Sequence, residues 1–325
     1  MDSLHRSRKN WFAGNGFDRL AHRRTDANWL AGCFVCPQTR FVITWRSSHL
    51  FLASDPLSPV CLNACEYPDL LAEAQSVVLL GQSEQHVYVG LDLPTSVASY
   101  PERFAHVGQF SDLYDAGMEQ ARADASLLAV ARGLAYWHQR HAFCGTCGQP
   151  TVSGEAGYLR QCTSAACGAR SFPRTDPAVI VLVYDDERCL LARQSTWPAR
   201  MYSVVAGFVE PGESLEETVL REVAEETGIE VTDIEYRSSQ PWPFPSSLML
   251  GFRARAVGFD IDLGDDELET AHWFSRQQLV EAVRRGELRV PSPVSISYRL
   301  VEEWFDAGDA GPLSALSEAV EGTAS

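Results

Sequence analysis

Short runs of branched and aromatic residues alternate with clusters of Pro, Gly, Ser and Asp in the N-terminal third of the chain. Three of these runs, at residues 41–45, 76–80 and 86–91, predict β-strands. From Asp124 to Arg140 the apolar positions take up a helical spacing instead, at Leu127, Val130, Ala131, Leu134 and Trp137. The pattern therefore predicts an α+β domain over residues 1–140 that ends in a helix.

The rest of the chain alternates between strand-like and helix-like patterns. Residues 178–184 and 188–193 are apolar runs on either side of a polar turn, and they predict a buried hairpin. Further strands are predicted at 204–207, at 248–257 and around Trp273, and further helices at 276–285 and 296–307. This mixture places residues 173–310 in the α/β class, while the small and acidic residues 311–325 predict a flexible tail.

An acidic stretch between these elements predicts a metal site. Residues 214–227 have helical composition, and Gly228 follows them as a C-terminal stop. Glu222, Glu225 and Glu226 then project from one face of the helix, because they are spaced i, i+3 and i+4. Three close carboxylates repel one another unless a cation lies between them, and Mg²⁺ and Mn²⁺ prefer oxygen ligands.

Two neighbouring residues support this interpretation. Glu213 adds an acid at the helix start, where the helix dipole favours it, and Arg221 can pair with a neighbouring acid. We count both among the candidate catalytic residues. The alternative is a solvated acidic face, which is common in Glu-rich helices. It is disfavoured here because residues 207–229 fill every position of the 23-residue pattern G-x5-E-x7-R-E-U-x-E-E-x-G-U, in which U is a bulky aliphatic residue.

Four cysteines predict a structural zinc site in residues 141–172. Cys144 and Cys147 are followed, after fourteen residues, by Cys162 and Cys167, and a glycine follows each pair. Tight turns of this kind let four sulfurs face one Zn²⁺ ion, and a closed four-cysteine site leaves no coordination position for catalysis. The alternatives are four unrelated thiols or two disulfides, for which the chain offers no secretory context.

Four further cysteines lie in the N-terminal domain at Cys33, Cys36, Cys61 and Cys65. A second metal site is one interpretation of them. Buried free thiols are the other, and they are favoured because Cys33 and Cys36 run into apolar sequence without turn glycines.

A proline-rich segment follows the acidic helix at residues 239–249. Three prolines alternate there with Trp242 and Phe244, and because proline lacks an N–H donor the segment cannot be a central strand. We expect a stiff loop that presents its aromatic rings to a flat base. The alternative is a turn whose aromatic side chains only cap the core.

Composition limits the remaining possibilities. A chain of 325 residues with 45% hydrophobic and 22% charged residues can form two or three compact domains. Its net charge of −16 argues against broad affinity for nucleic acids or anionic membranes. No apolar run approaches the roughly 20 residues of a membrane span, and we expect no signal peptide and a reducing, cytoplasmic compartment.

The 23-residue pattern resembles the signature of the Nudix hydrolases. The array S-Q-P-W-P-F-P-x-S after it resembles the NADH pyrophosphatase subgroup, which also carries a zinc ribbon before its Nudix domain. The resemblance covers residues 141–307 and implies an α/β/α sandwich with a mixed sheet. It implies metal-dependent hydrolysis of NAD(H) to AMP and nicotinamide mononucleotide, and removal of the NAD cap from RNA. The N-terminal part resembles the variable domain of this subgroup, which helps to form a homodimer.

The resemblance also implies roles for individual residues. The Mg²⁺ or Mn²⁺ ligands are the carbonyl of Ala206 and the side chains of Glu222, Glu226 and Glu267. Asp266 and Glu269 are neighbours that could be confused with Glu267, and the general base is left open between Glu225 and Glu267. The substrate contacts are Phe172, Phe208, Gln240, Pro241, Trp242, Pro243, Phe244, Pro245, Ser246, Ser247 and Ser297, the last at a position where alanine is expected.

Other functions remain open at this point. The same chemistry serves other nucleoside diphosphate derivatives, such as ADP-ribose and diadenosine polyphosphates. A non-catalytic NAD-sensing module is disfavoured by the intact pattern. The chain has no G-x-G-x-x-G fingerprint, so we expect NAD to be a substrate and not a hydride-transfer cofactor.

Overall fold

The structure is a computed structural model that describes residues 2–14, 16–52, 57–116, 121–264 and 267–316. Within these ranges the helices are α1 (Ser3–Lys9), α2 (Ala27–Cys33), α3 (Leu70–Glu73), α4 (Tyr100–Phe104), α5 (Leu113–Ala116), α6 (Arg122–Arg140), α7 (Leu215–Thr227), α8 (Arg276–Arg284) and α9 (Ile296–Phe305). The strands are β1 (Thr39–Trp45), β2 (Ser48–Leu52), β3 (Ser58–Pro59), β4 (Cys61–Asn63), β5 (Ser76–Gln82), β6 (Val87–Asp92), β7 (Gln109–Asp112), β8 (Thr151–Gly154), β9 (Leu159–Cys162), β10 (Arg170–Ser171), β11 (Asp176–Tyr184), β12 (Arg188–Arg193), β13 (Val205–Phe208), β14 (Val231–Trp242), β15 (Ser247–Ala256) and β16 (Thr270–Ser275).

The described residues divide into two compact units. Apart from the gaps named above, the N-terminal unit comprises residues 12–175 and 242–246, and the C-terminal unit comprises residues 2–11, 176–241 and 247–316. This division differs from the predicted boundaries, because α1 belongs to the C-terminal unit and the cysteine-rich segment to the N-terminal one. The physical reason for the first difference is that Asn10 donates hydrogen bonds to the Ser238 hydroxyl and the Ser239 carbonyl of β14.

The N-terminal unit is built on a mixed sheet with the strand order β3-β2-β1-β6-β5, to which β4 and β7 add at β1 and β2. Strands β1 and β6 run parallel, and the other pairs are antiparallel. Helix α6 packs on β5, β1 and β6. The three strands and the helix predicted for this part of the chain are confirmed as β1, β5, β6 and α6.

A small antiparallel sheet of β8, β9 and β10 carries the cysteine-rich segment. Gly157, which lies between β8 and β9, has a φ of 95° and packs directly against β5. A Cβ at this position would lie 2.7 Å from Val78 Cγ2, so only glycine permits so close an approach. The cysteine-rich segment is thereby held on the sheet of the N-terminal unit.

The C-terminal unit has a mixed sheet with the strand order β14-β15-β11-β12-β16, and β13 pairs with β11. The side chains of central strand β11 alternate between two cores. Val179, Val181 and Val183 pack in one apolar cluster with residues of α7, and Ile180 and Leu182 pack in another with residues of α8 and α9. Helices therefore cover both faces of the sheet, as the predicted α/β/α sandwich requires.

Two predictions for this unit need correction. The proline-rich segment is not a loop throughout, because β14 continues through Pro241 to Trp242. Proline is tolerated there because β14 is the edge strand. The predicted tail begins too early, because Leu313 and Leu316 are buried in the cluster around α8 and α9. Residues 317–325 of that tail lie outside the described residues.

In the parts of the chain that the structure describes, no helix combines the length and apolarity needed to cross a membrane. The cytoplasmic location stays a prediction.

Candidate active site and zinc site

Helix α7, which carries the acidic face, is fixed at both ends. The Ser214 hydroxyl accepts a hydrogen bond from the Glu217 N–H, and the Glu217 carboxylate accepts one from the Ser214 N–H, which forms a capping box. Gly228 ends the helix in the left-handed conformation, with a φ of 69°. Val219 and Val223 are fully buried in the core. This anchoring determines where the acidic side chains of α7 project.

Gly207 of β13 lies against the carboxylate of Glu222. A Cβ at Gly207 would lie 1.8 to 2.2 Å from the three atoms of that carboxylate. Any larger residue would displace Glu222, so the first glycine of the 23-residue pattern has a steric role. Glu222 is thereby placed beside the strand that contains Ala206, whose carbonyl is a predicted metal ligand.

Arg221 links three acids of the site. Its Nε and Nη2 atoms donate to the two carboxylate oxygens of Glu213 at 2.6 and 2.9 Å. Its Nη1 atom lies 2.9 Å from Glu222 Oε1 and 3.1 Å from Glu225 Oε2. The Nη2 atom also donates to the Phe208 carbonyl at 2.9 Å. Such charge-assisted bonds are stronger than neutral ones, so Arg221 orients this acidic group.

Glu213 accepts hydrogen bonds from two further donors. The Glu210 N–H donates to its carboxylate at 3.0 Å and the Thr218 hydroxyl at 2.9 Å. Together with Arg221, which has the largest effect, these donors lower the pKa of Glu213 to about 2. A carboxylate with so low a pKa is a poor proton acceptor near neutral pH. The geometry therefore favours a role for Glu213 in positioning Arg221, in place of the catalytic role predicted from sequence.

The carboxylates of Glu222 and Glu226 are withdrawn from water. Burial raises the pKa of Glu222, Arg221 lowers it, and the nearby carboxylates of Glu225 and Glu267 raise it again. Glu226 is only 4% exposed. Buried acids that repel one another are stabilised by a cation in their midst.

Glu267 and Glu269 have different partners. The Gln194 side-chain amide donates to Glu267 Oε1 at 3.0 Å, whereas Glu269 Oε2 pairs with Arg193 Nε at 2.5 Å. Glu269 is thus neutralised by an arginine, and Glu267 is the acid that interacts with Glu222. Asp266, the third candidate, lies outside the described residues. The sequence did not predict that Arg193 and Gln194 contact these acids, because their spacing along the chain matches no motif.

The oxygen donors fit a hard divalent ion. They are the carboxylates of Glu222, Glu226 and Glu267 and the carbonyl of Ala206, the donor types that Mg²⁺ and Mn²⁺ prefer. The space that Gly207 leaves for Glu222 supports this fit. Among the described residues, no three carboxylates bring their oxygens within 4.8 Å of one another. The geometry therefore supports the donor set.

Two of the predicted stacking residues are exposed. Phe208, beside the pattern glycine, is 59% exposed, and Phe172 is 55% exposed in the N-terminal unit. The Arg170 guanidinium lies 5.4 Å from the Phe172 ring centroid. Exposed rings of this kind can stack on a base.

Trp242 and Phe244 pack mainly on other rings of the N-terminal unit. Their centroids are 5.2 Å apart, and Phe12 lies 6.1 and 5.5 Å from them. Tyr114 lies 5.9 and 5.6 Å from the same two rings. This edge-to-face cluster favours packing as one role of these side chains. Of the prolines predicted to line the substrate, Pro243 is buried, Pro241 is half-buried and Pro245 is exposed.

Gln240 is fully buried. Its Nε2 atom donates to the carbonyls of Val294 and Trp11 at 2.7 and 3.1 Å, and its Oε1 atom accepts the Ile296 N–H at 2.7 Å. These bonds hold the start of α9 on β14. The prediction that Gln240 contacts substrate is not supported by this geometry, because its amide is inaccessible and already paired.

The predicted serine contacts are also poorly accessible. Ser247 lies on β15 with 9% exposure, and Ser297 lies in the first turn of α9 with 1% exposure. The Ser297 N–H donates to the hydroxyl of Ser295, which caps this helix. Ser246 is half-buried. A direct contact of Ser297 with substrate would require α9 to move.

The four cysteines of the zinc site converge as predicted. Their sulfur atoms all lie within 4.8 Å of one another. Cys144 Sγ is 3.8 Å from Cys167 Sγ, and Cys147 Sγ is 3.4 Å from Cys162 Sγ. Zn–S bonds of about 2.3 Å in a tetrahedron imply sulfur atoms about 3.8 Å apart, so the site fits Zn²⁺. The N–H groups of Thr146 and Cys147 lower the pKa of Cys144 to about 6, which favours the thiolate.

The cysteines of the N-terminal domain do not converge in this way. Among the described residues, no group of three ligand atoms within 4.8 Å includes them. Burial raises the pKa of Cys33 and raises that of Cys61 to about 12. The Cys36 thiol donates to Gln38 Oε1 at 2.6 Å, and the Cys65 thiol donates to the Val35 carbonyl at 3.4 Å. This geometry favours free thiols over a second metal site.

Two parts of the chain match protein-family models. Residues 139–172 match the NADH pyrophosphatase zinc ribbon domain, and residues 174–292 match the NUDIX domain. A solved structure, that of a NUDIX hydrolase from Nitrosomonas europaea, is 23% identical over 42% of this chain and 78% of that chain. Its TM-score of 0.35 is too low to support an argument.

Curated relatives match over most of their length. NAD-capped RNA hydrolase NUDT12 from Macaca fascicularis is 32% identical over 91% of this chain and 73% of that protein. The mitochondrial NAD(P)H pyrophosphatase NUDT13 from Homo sapiens is 40% identical over 73% of this chain and 74% of that protein. Glu222 of the Nudix box, residues 207–229, lies against Gly207, and the four sulfurs converge upstream. Together with this geometry, these matches show that the chain belongs to the Nudix hydrolase family, in the group with an NADH pyrophosphatase zinc ribbon.

Proposed function

We propose that this protein hydrolyses the central diphosphate of NAD(H), with release of AMP and nicotinamide mononucleotide. The observation that carries the proposal is the Glu222 carboxylate, which lies against Gly207 and is held by Arg221 within an intact box. Relatives named as an NAD-capped RNA hydrolase and an NAD(P)H pyrophosphatase support the substrate class.

In this proposal one group of site residues holds the metal ion and a second group positions those ligands. Glu222, Glu226, Glu267 and the Ala206 carbonyl would hold Mg²⁺ or Mn²⁺, which when bound neutralises the diphosphate and activates water. Arg221 orients Glu222. Glu213 holds Arg221 through the bidentate ion pair.

The general base remains a choice between Glu225 and Glu267. Glu225 is held in an ion pair with Arg221, whereas Glu267 accepts a hydrogen bond from the side-chain amide of Gln194. Both carboxylates therefore stay candidates for the base. Their roles are tested by the pH profiles of Glu225→Gln and Glu267→Gln, because loss of the base removes the acidic limb of the kcat profile.

Product analysis tests the proposed reaction. The wild-type enzyme is incubated with NADH and Mg²⁺ or Mn²⁺, and we expect AMP and reduced nicotinamide mononucleotide in equal amounts, with no turnover after chelation. ADP-ribose and diadenosine polyphosphates are assayed in parallel. A clear preference for one of these over NAD and NADH would refute the proposal, and the absence of any turnover would favour an NAD-sensing module.

NAD-capped RNA is a second candidate substrate, favoured by the name of the NUDT12 relative. Hydrolysis of the same bond would release nicotinamide mononucleotide and leave a 5′-monophosphate on the RNA. An NAD-capped oligonucleotide and free NAD are compared at several salt concentrations. If the rate of hydrolysis depends steeply on salt for the oligonucleotide but not for free NAD, the enzyme contacts the RNA phosphates.

The proposal includes a homodimer in the cytoplasm, and the dimer rests on the resemblance of the N-terminal part to the subgroup's variable domain. Sedimentation across a concentration series tests the dimer. Loss of activity on dilution below the dissociation constant would favour a site shared between protomers, whereas a fully active monomer would refute the dimer as a requirement.

A further inference from the structure

The segment Trp242–Ser246 is poor in hydrogen-bond donors. Pro243 and Pro245 have no N–H group, and the Phe244 N–H donates to the Trp242 carbonyl at 2.8 Å, inside the segment. The segment therefore offers its neighbours mainly carbonyl oxygens and aromatic rings. A donor supplied by another element can therefore contribute to its orientation, because a buried carbonyl without a donor is costly.

Arg132 of α6 supplies this donor. Its Nε atom donates to the Pro243 carbonyl at 2.9 Å, and its guanidinium carbon lies 4.7 Å from the centroid of the Phe244 ring. Its Nη1 atom donates to Asp112 Oδ2 at 3.1 Å and to the Ser47 carbonyl. The side chain is only 14% exposed. One guanidinium thus joins the segment to α6, to β7 and to the turn between β1 and β2.

Phe12 and Tyr114 complete the enclosure of the segment. Each ring contacts both Trp242 and Phe244 edge to face. Phe12 is 2% exposed. These rings restrict the rotamers of Trp242 and Phe244 through packing, whereas Arg132 donates a hydrogen bond to the backbone carbonyl of Pro243. Loss of Arg132 should therefore loosen the segment without emptying the core.

We propose that Arg132 is a positioning residue that holds Trp242–Ser246 in the conformation that recognises the nicotinamide half of the substrate. The inference rests on the proposed hydrolysis of NAD(H) and on the substrate contacts that the resemblance to the NADH pyrophosphatase subgroup implies for residues 240–247. It goes beyond that function by assigning substrate specificity to a residue of the N-terminal unit outside the box and outside the proline-rich array.

Steady-state kinetics of four proteins test the inference. They are the wild type, Arg132→Met, Arg132→Lys and the control Arg140→Met, which removes an exposed arginine from the same helix. Methionine keeps an unbranched apolar stem, and lysine keeps the charge but not the planar fork. NADH and ADP-ribose are the substrates, because ADP-ribose lacks the nicotinamide ring.

We expect Arg132→Met to raise KM for NADH by about tenfold, with kcat within about threefold of the wild type, because ground-state recognition is lost and the box is untouched. ADP-ribose kinetics and Arg140→Met should be unchanged. Arg132→Lys should show a smaller rise in KM, and it provides the same test if Arg132→Met fails to fold. Equal losses with both substrates would overturn the inference.

A double-mutant cycle separates positioning from general stability. If Arg132 acts through the segment, Arg132→Met should add little to the loss of NADH recognition caused by Trp242→Ala. Additive losses would overturn the inference and leave the proposed function standing. A wild-type enzyme that hydrolyses ADP-ribose but not NADH would instead overturn the proposed function.

Discussion

At the scale of single residues, one glycine and one arginine shape the candidate active site. Gly207 leaves room for the Glu222 carboxylate, and Arg221 bonds to Glu213, Glu222 and Glu225. The sequence pattern predicted the residue types, because their spacing is local. The pattern did not predict that Glu213 is the residue that positions Arg221. This contact depends on how the loop before α7 folds back onto the helix.

Gly207→Ala tests the steric role of this glycine. The new Cβ must displace the Glu222 carboxylate, and a misplacement of about 1 Å can cost about 10²-fold in rate, so we expect kcat for NADH to fall by about that factor. Gly32→Ala in α2 is the control, because a Cβ there meets no atom within 4 Å. A Gly207→Ala enzyme with wild-type kcat would contradict the assigned place of Glu222.

The Glu213–Arg221 pair predicts a defined response to acid. Because the pKa of folded Glu213 is lowered from 4.5 to about 2, its stabilisation is fully present above about pH 4.5 and is lost as the pH falls towards about 2. The melting temperatures of wild type and Glu213→Gln should therefore differ by a constant amount above about pH 4.5 and converge below it. Glu216→Gln, an exposed acid of the same helix, should show no convergence of this kind. A difference at pH 2.5 as large as that at neutral pH would disprove the role of the pair.

At the scale of elements, the parts that sequence predicted are those with local patterns. Strand β11 and helix α7 follow from apolar periodicity and helix-end residues. Most of β14 was missed, because an edge strand with polar residues has no apolar alternation and is defined by pairing with β15. The buried position of Gln240 was missed for a related reason, since its partners lie 54 and 56 residues further along the chain and in the N-terminal segment.

Gln240→Leu distinguishes a structural from a substrate-binding role. The change removes the hydrogen-bond partner of the Ile296 N–H and of the Val294 carbonyl. Leaving each of these groups buried without a partner costs about 1–3 kcal/mol. We expect a lower free energy of unfolding with unchanged KM for NADH below the melting temperature. Gln277→Leu, on the exposed side of α8, should change neither quantity. A raised KM at unchanged stability would restore Gln240 as a substrate contact.

The zinc ribbon provides a second test at this scale. Because binding of structural zinc contributes directly to folding, Cys147→Ser should lose the metal and melt at a lower temperature than the wild type. Elemental analysis should find about one zinc per wild-type chain and the same in the control Cys65→Ser. The absence of zinc from wild-type protein prepared without chelator would refute this assignment, and about two per chain would revive an N-terminal site.

At the scale of the whole molecule, the sequence predicted the order of parts better than their grouping. The ribbon folds with the N-terminal unit because Gly157 packs on β5. Helix α1 folds with the C-terminal unit because its Arg6 and Ser7 side chains form hydrogen bonds with the backbone of β14. These are contacts between residues far apart in the chain, and no local pattern encodes them. The proposed metal ligands Ala206, Glu222, Glu226 and Glu267, by contrast, all lie in the C-terminal unit.

The most direct test of the central claim is the rate of NADH hydrolysis by Glu226→Gln in Mg²⁺. The substitution keeps the size of this buried side chain and removes the negative charge of one proposed metal ligand. We expect kcat to fall by about 10²-fold or more with an unchanged circular dichroism spectrum, because transition-state charge stabilisation is lost. Hydrolysis of NADH at the wild-type rate would contradict the assignment of the acidic face as the metal site.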